Sequence, residues 1–233
     1  DCGSPCGTTT YGEVEDYTIN VLGAPATWEG TVSTDWDTPA NWNTTAVPTA
    51  SFSVTIPTSP IGSFFPAISS TTDATCLDLT IESGASLVVY GNLTIVGILT
   101  NNAGTSGLVI KSDASGTGSV ITDTDNVDAT VERYLEGGKW HLIGAPVDNQ
   151  TAEAVYFDHS PDVWLKEYDE SSNDWGPTLT ELTTPMPFGK GFAIWIKSGE
   201  NATASFQNEI AAVEVSVSGL TYSGASNGFN LVS

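Results

Sequence analysis

Short apolar runs separated by glycines dominate residues 77–110 and limit the folds open to this chain. The runs span residues 77–81, 87–89, 93–95, 98–99 and 108–110, and Gly84, Gly91, Gly97, Gly104 and Gly107 lie among them. Runs this short are typical of strands, and a glycine at each corner lets the chain turn sharply. Stacked coils of such strands would bury one narrow, continuous core. We therefore predict a short β-solenoid; because the repeat is irregular, a small β-roll or sandwich is the alternative.

The charge balance excludes several classes of partner. The 233 residues include 28 acidic and 6 basic side chains, so the net charge at pH 7 is −22. Such a surface repels phosphate backbones and anionic lipid heads, and we expect no nucleic-acid binding. No run of 18 apolar residues occurs, so we also expect no membrane insertion.

The second half of the chain has a different pattern of apolar residues. Alternating apolar runs at residues 131–135, 140–147 and 189–196 predict antiparallel strands. A polar tip between Tyr168 and Trp175 predicts a hairpin, and residues 151–157 predict a short helical turn. The fold class expected for the whole chain is all-β: a β-solenoid or β-roll followed by an antiparallel β-sandwich.

A single strand precedes these two regions. Its alternation runs through Tyr11, Val14, Tyr17, Ile19 and Val21. A lone strand cannot bury its apolar face by itself, so this one must pair elsewhere. We predict three parts: residues 1–25 with the strand and a linker, residues 26–126 with the solenoid, and residues 127–233 with the sandwich.

Several motifs resemble modules of secreted proteins. Cys6-Gly7 followed by the run Tyr-Gly-Glu-Val-Glu-Asp-Tyr at residues 11–17 resembles the closing segment of the GEVEDY domain, a β module of large secreted Bacteroidota proteins. The tryptophan-rich stretch at residues 28–57 resembles an opening segment that leads into a β-solenoid in such proteins. Residues 131–135, 140–147, 189–192 and 228–232 resemble a β-sandwich module of type IX secretion substrates.

These resemblances imply an extracellular or cell-surface location. They also imply that the first residues end a longer domain and that the sandwich module is truncated at Ser233. The chain would then have neighbouring domains of a larger protein as partners.

The chain has three cysteines. A disulfide between Cys2 and Cys6 is one possibility outside the cell, and a partner further upstream is the other. Cys76 stands alone before an apolar run with no basic neighbour to activate it, so we expect a small buried hydrophobic residue.

Acidic turns provide candidate calcium ligands. Asp123, Asp125 and Asp128 surround Asn126 and could bind Ca²⁺ through hard oxygen atoms, which would also relieve charge repulsion. A second group of this kind comprises Asp35, Asp37 and Asn41. The alternative is a solvated acidic turn between domains.

Three tryptophans near the start of the solenoid are candidate ligand contacts. Trp28, Trp36 and Trp42 could stack on sugar rings, which would make a glycan a partner. Packing at the mouth of the solenoid is the alternative, because large aromatic side chains usually serve as hydrophobic anchors.

No motif for nucleophilic catalysis, a zinc helix, a phosphate loop or a dinucleotide site occurs. We therefore expect a non-enzymatic, extracellular structural or adhesive module. It could assemble with itself head to tail into a filament, with the strand at residues 11–21 added to the sheet of the next copy. The alternative is an accessory carbohydrate-binding region of a larger secreted hydrolase or peptidase.

Overall fold

The computed structural model describes residues 25–156, 162–210, 220, 230 and 231. Its first strands are β1 (Ala26–Thr27), β2 (Val54–Ile56), β3 (Ala67–Ile68), β4 (Asp73–Cys76), β5 (Leu79–Ile81), β6 (Leu87–Val89), β7 (Asn92–Ile95), β8 (Leu99–Asn101), β9 (Leu108–Ile110), β10 (Ser112–Asp113), β11 (Gly116–Thr117), β12 (Ser119–Ile121) and β13 (Val127–Leu135). Then follow β14 (Trp140–Ile143), β15 (Gln150–Thr151), helix α1 (Glu153–Tyr156), β16 (Val163–Lys166), β17 (Tyr168–Asp169), β18 (Asp174–Trp175), β19 (Pro185–Met186), β20 (Phe192–Ile196) and β21 (Ala202–Ile210). Two short 3₁₀ turns span Pro39–Asn41 and Gly104–Ser106.

The first region is a β-solenoid of about four turns. Three parallel arrays form its sides, in the orders β1-β2-β5-β8, β3-β6-β9-β13 and β4-β7-β12. Alternate residues of each strand point inward, so Leu79, Ile81 and Leu87 stack with their equivalents in one buried cluster. The solenoid geometry is the one predicted from the glycine-spaced runs.

Cys76 contributes to this core. Its side chain is fully buried and the thiol is free. Burial, with a smaller contribution from the negative charge of Asp78, raises the pKa of the thiol to about 12. The thiol therefore stays protonated and inert at neutral pH, as expected for a small buried hydrophobic residue.

Strand β13 joins the solenoid to the second region. Thr130 and Val131 pair in parallel with β9, while all nine residues of the strand pair antiparallel with β21. Val127 and Ala129 lie in the solenoid core, whereas Leu135 lies in a second hydrophobic cluster. One continuous strand thus contributes to both cores.

The second region contains antiparallel sheets. A three-stranded sheet has the order β14-β20-β16, and β15-β19 and β17-β18 are two-stranded pairs. Its core contains Ile143, Ile194 and Leu165 from the three-stranded sheet together with Leu135 and Phe206 from β13 and β21. The all-β class, with a solenoid followed by antiparallel sheets, is confirmed, as are the hairpin and the helical turn. The strand predicted at residues 11–21 lies outside the described residues.

No helix in the described ranges is both long and apolar enough to cross a membrane.

Candidate functional site: a tryptophan face on the antiparallel sheet

Three tryptophans form one row across the outer face of the three-stranded sheet. Trp195 of the central strand β20 pairs with Trp140 of β14 on one side and with Trp164 of β16 on the other. Val163 and Leu165 beside Trp164, and Ile194 and Ile196 beside Trp195, point to the opposite side and lie in the core. Trp140 is 53% exposed and Trp164 39% exposed, so two large aromatic side chains stand in solvent.

A second row extends this surface. Ala193 pairs with Leu142 on one side and Lys166 on the other, one pleat along from the tryptophans. The hairpin β17-β18 places Trp175 beside this row, where its ring packs edge-on against Tyr168 with centroids 5.4 Å apart. We refer to Trp140, Trp164, Trp175 and Trp195, with Leu142, Lys166 and Ala193, as the tryptophan face.

The tryptophan face contains two adjacent depressions. One measures about 260 Å³ and is lined by Trp140, Trp164, Lys166 and Trp195. The other measures about 320 Å³ and is lined by Trp140, Leu142, Lys166, Trp175 and Ala193. Because Trp140 and Lys166 border both, the two depressions could hold neighbouring parts of one ligand.

The indole N–H groups of the tryptophan face are free to act as donors. Within the described residues, none of the four donates a hydrogen bond, unlike Trp28 and Trp42, whose N–H groups donate to backbone carbonyls at 2.6 and 2.9 Å. The face thus combines apolar rings with unused polar donors, the combination that orients small ligands in shallow sites.

The three tryptophans predicted as ligand contacts are placed elsewhere. Trp28, Trp36 and Trp42 are 0%, 0% and 1% exposed, and we refer to them as the tryptophan cap. Trp42 packs edge-on against Trp28 and Trp36, with centroids 5.0 and 4.7 Å apart. Enclosed rings offer no face to a sugar, so the prediction of sugar stacking by these three side chains is corrected and the alternative, packing at the mouth of the solenoid, is what the structure shows. They close the first end of the solenoid core.

The predicted acidic site does not come together. In the part of the chain that the structure describes, no three or more Asp, Glu, His or Cys side chains form a group able to hold a metal ion. Asp123 and Asp125 lie in the segment between β12 and β13, where Asn126 adopts a positive φ of 56°, and Asp128 is the second residue of β13. A calcium role for these residues stays a prediction without a preformed ligand cluster.

The second acidic group has a structural role. The side chain of Asn41 is buried and accepts hydrogen bonds from the N–H groups of Val32 and Ser33 at 2.9 and 3.1 Å. A carboxylate oxygen of Asp35 accepts from Thr38, and one of Asp37 accepts from Thr72 at 2.7 Å. These oxygens hold the turns around the tryptophan cap.

Two other predicted features lie outside the described residues. They are the cysteine pair Cys2 and Cys6 and the joining strand with Tyr11, Val14, Tyr17, Ile19 and Val21.

Comparison with protein families places the chain in one of them. Residues 27–227 match the model of a domain of unknown function, DUF8693. The chain belongs to this family. Comparisons with curated proteins and with solved structures returned no match.

The DUF8693 match includes both the solenoid and the tryptophan face. The sequence predicts strands that contain Trp140 and Trp195 and a hairpin bounded by Trp175, but no binding site was predicted there. A signal was present: Trp164 and Lys166 alternate with Val163 and Leu165, which lie in the core. Large aromatic side chains on the non-core side of a strand are candidates for a binding surface.

Proposed function

We propose that this chain is a non-enzymatic, extracellular adhesive module that binds carbohydrate on its tryptophan face. The observation that carries the proposal is the exposed row of Trp140, Trp195 and Trp164 in register across three strands. Flat indole rings match the apolar C–H faces of sugar rings. The free indole N–H groups can donate to sugar hydroxyls at the edge of each stack.

The size of the face favours a small ligand over a folded protein. Three strands about 4.8 Å apart, each about four residues long at about 3.3 Å per residue, present roughly 200 Å². A stable protein interface needs about 800 Å² from each partner. A sugar of two or three rings fits this area, whereas a protein would need a much larger contact.

The lining of the face supports binding rather than catalysis. Indole rings, two aliphatic side chains and one ammonium group contain neither a nucleophile nor a pair of acid and base groups. The extracellular location is supported by the resemblance of residues 6–17 to the GEVEDY segment of secreted proteins. In a larger secreted hydrolase or peptidase, the same face would hold the protein on its substrate.

A glycan array probed with the whole chain tests this function. Trp140→Ala and Trp164→Ala should each weaken binding to the glycans found by roughly tenfold or more, because each removes a central aromatic contact. Tyr90→Ala is the matched control, since Tyr90 is also an exposed aromatic residue (40%) but lies on the solenoid. Absence of binding to any glycan, or equal binding by all three variants, would contradict the proposal.

Head-to-tail assembly is a second proposal, favoured by the outer edge of β14. Within the described residues β14 pairs only with β20, so its other edge can accept a strand. A strand with the alternation of residues 11–21 would be added there from another copy. Electron microscopy of the chain should show filaments that disappear when residues 1–25 are removed. A monodisperse monomer at high concentration would exclude this assembly.

A further inference from the structure

Lys166 is unusual among the basic residues of this chain. Lys111, Lys139, Lys190 and Lys197 each form an ion pair with a carboxylate. Arg133 donates to the hydroxyl of Thr117 at 3.2 Å. Among the described residues, Lys166 alone of the basic side chains has neither an ion pair nor a side-chain hydrogen bond.

The isolation of Lys166 is unexpected because acidic groups outnumber basic ones by 28 to 6. Its chain neighbour Glu167 is engaged by Lys190, with Nζ and Oε1 2.9 Å apart. Lys166 is directed by the strand pleat to the other side of the sheet from the Leu165 side chain, among the tryptophans. An unpaired ammonium group thus borders both depressions of the tryptophan face.

We propose that the ligand of the tryptophan face is an acidic sugar, whose carboxylate pairs with Lys166 while its rings stack on the indoles. This inference rests on the proposed carbohydrate-binding function and adds the class of sugar. A half-buried ammonium beside apolar rings is less screened than one in open water, so a carboxylate there forms a charge-assisted hydrogen bond.

The net charge of the chain limits the length of such a ligand. A long polyanion would be repelled by the acidic surface, but at physiological salt this repulsion falls off over about 8 Å. A contact at hydrogen-bond distance is much less affected. The site therefore suits a short acidic oligosaccharide or the acidic end of a glycan.

The test compares acidic sugars with neutral forms of the same backbone. Isothermal titration of the whole chain would use short oligomers of glucuronate, galacturonate and mannuronate, and sialyllactose. Carboxyl-reduced oligomers and lactose are the neutral counterparts. At least one acidic ligand should bind about tenfold more tightly than its neutral counterpart.

Substitution of Lys166 then separates charge from stacking. Lys166→Met keeps the aliphatic stem and removes the charge, so it should lower the ratio of acidic to neutral affinity from about tenfold to about one. Lys139→Met is the matched control, because Lys139 is an exposed lysine that is paired with Glu136 and lines neither depression. It should leave both affinities unchanged.

Failure of this inference can be distinguished from failure of the proposed function. Equal binding of acidic and neutral sugars, lost in Trp164→Ala but unchanged in Lys166→Met, would overturn the acidic-sugar inference alone. No binding of any sugar would overturn both. Binding of an acidic peptide in place of every sugar would also overturn both and assign the face to a protein partner.

Discussion

Trp140 lies directly opposite Trp195 across the antiparallel pair of β14 and β20, and their ring centroids are 5.7 Å apart. Their planes are tilted by 57°, so the two rings form a shallow angled surface instead of a flat stack. Trp140 is 53% exposed, and burying even part of its ring against a ligand would recover hydrophobic free energy that folding leaves unused.

The two groups of tryptophans should differ in their access to a neutral quencher. The tryptophan cap is enclosed, and the tryptophan face is open. We expect acrylamide to quench only part of the intrinsic fluorescence. Replacing the four tryptophans of the face with phenylalanine should remove most of the quenchable part. Equal quenching in that variant and in the unmodified chain would show that the cap is open to solvent.

Removing the indole N–H should lower the free energy of unfolding by different amounts at Trp36 and Trp42, two tryptophans of the cap. The N–H of Trp42 donates to the carbonyl of Trp36 at 2.9 Å, whereas the N–H of Trp36 is buried without a hydrogen-bond partner in the described residues. Trp42→Phe should therefore lower the free energy of unfolding by about 1 kcal/mol more than Trp36→Phe. Urea unfolding of both variants measures the difference. Equal losses would contradict a contribution from this hydrogen bond.

A glycine at a solenoid corner should be intolerant of a side chain. A Cβ at Gly91 would lie 2.2 Å from the carbonyl oxygen of Ser69 and 2.4 Å from that of Thr72. Both atoms belong to the backbone of the neighbouring coil, so Gly91→Ala should lower the free energy of unfolding by about 1–3 kcal/mol or more. Gly116→Ala is the control, because open space surrounds that position. Thermal unfolding should shift only in the first variant, and an unchanged midpoint would contradict the close approach.

The stability of the solenoid should fall in acid, partly through Asp78. The Asp78 carboxylate accepts hydrogen bonds from the N–H of Ile98 at 2.9 Å and from the hydroxyl of Ser53 at 2.7 Å. Both hydrogen bonds lower the pKa of Asp78, and the one from Ile98 contributes more. A carboxylate with a lowered pKa in the folded state stabilises the protein above its unfolded pKa of about 3.9. This contribution is lost as the pH falls through the folded pKa.

Thermal unfolding between about pH 5 and pH 2.5, a range that brackets the ordinary aspartate pKa, measures this effect. The midpoint should fall with pH, and Asp78→Asn should show a shallower dependence. Asp123→Asn is the control, because Asp123 is exposed and accepts no hydrogen bond within the described residues. Identical pH profiles for Asp78→Asn and the unmodified chain would contradict the contribution.

Much of the solenoid could be predicted because its signals are local. The glycine at 91 and the short apolar runs at residues 87–89 and 93–95 each act within a few residues, so they indicate short strands and sharp corners without knowledge of the partners. The tryptophan cap could not be predicted from local signals. A buried and an exposed tryptophan give the same sequence signal, and only packing against the coil beneath distinguished them.

The sequence by itself determined the all-β class, the coiled first region and the antiparallel strands of the second region, because strand period and turn residues are properties of short segments. Only the tertiary structure decided that Trp140, Trp164 and Trp195 share one row and that Lys166 borders it without a carboxylate. Those residues come from three strands, and Trp140 and Trp195 are 55 positions apart in the chain. Their register is set by packing of the opposite face against Phe206 and its neighbours. Such long-range pairing depends on the whole core and leaves no mark in any single segment.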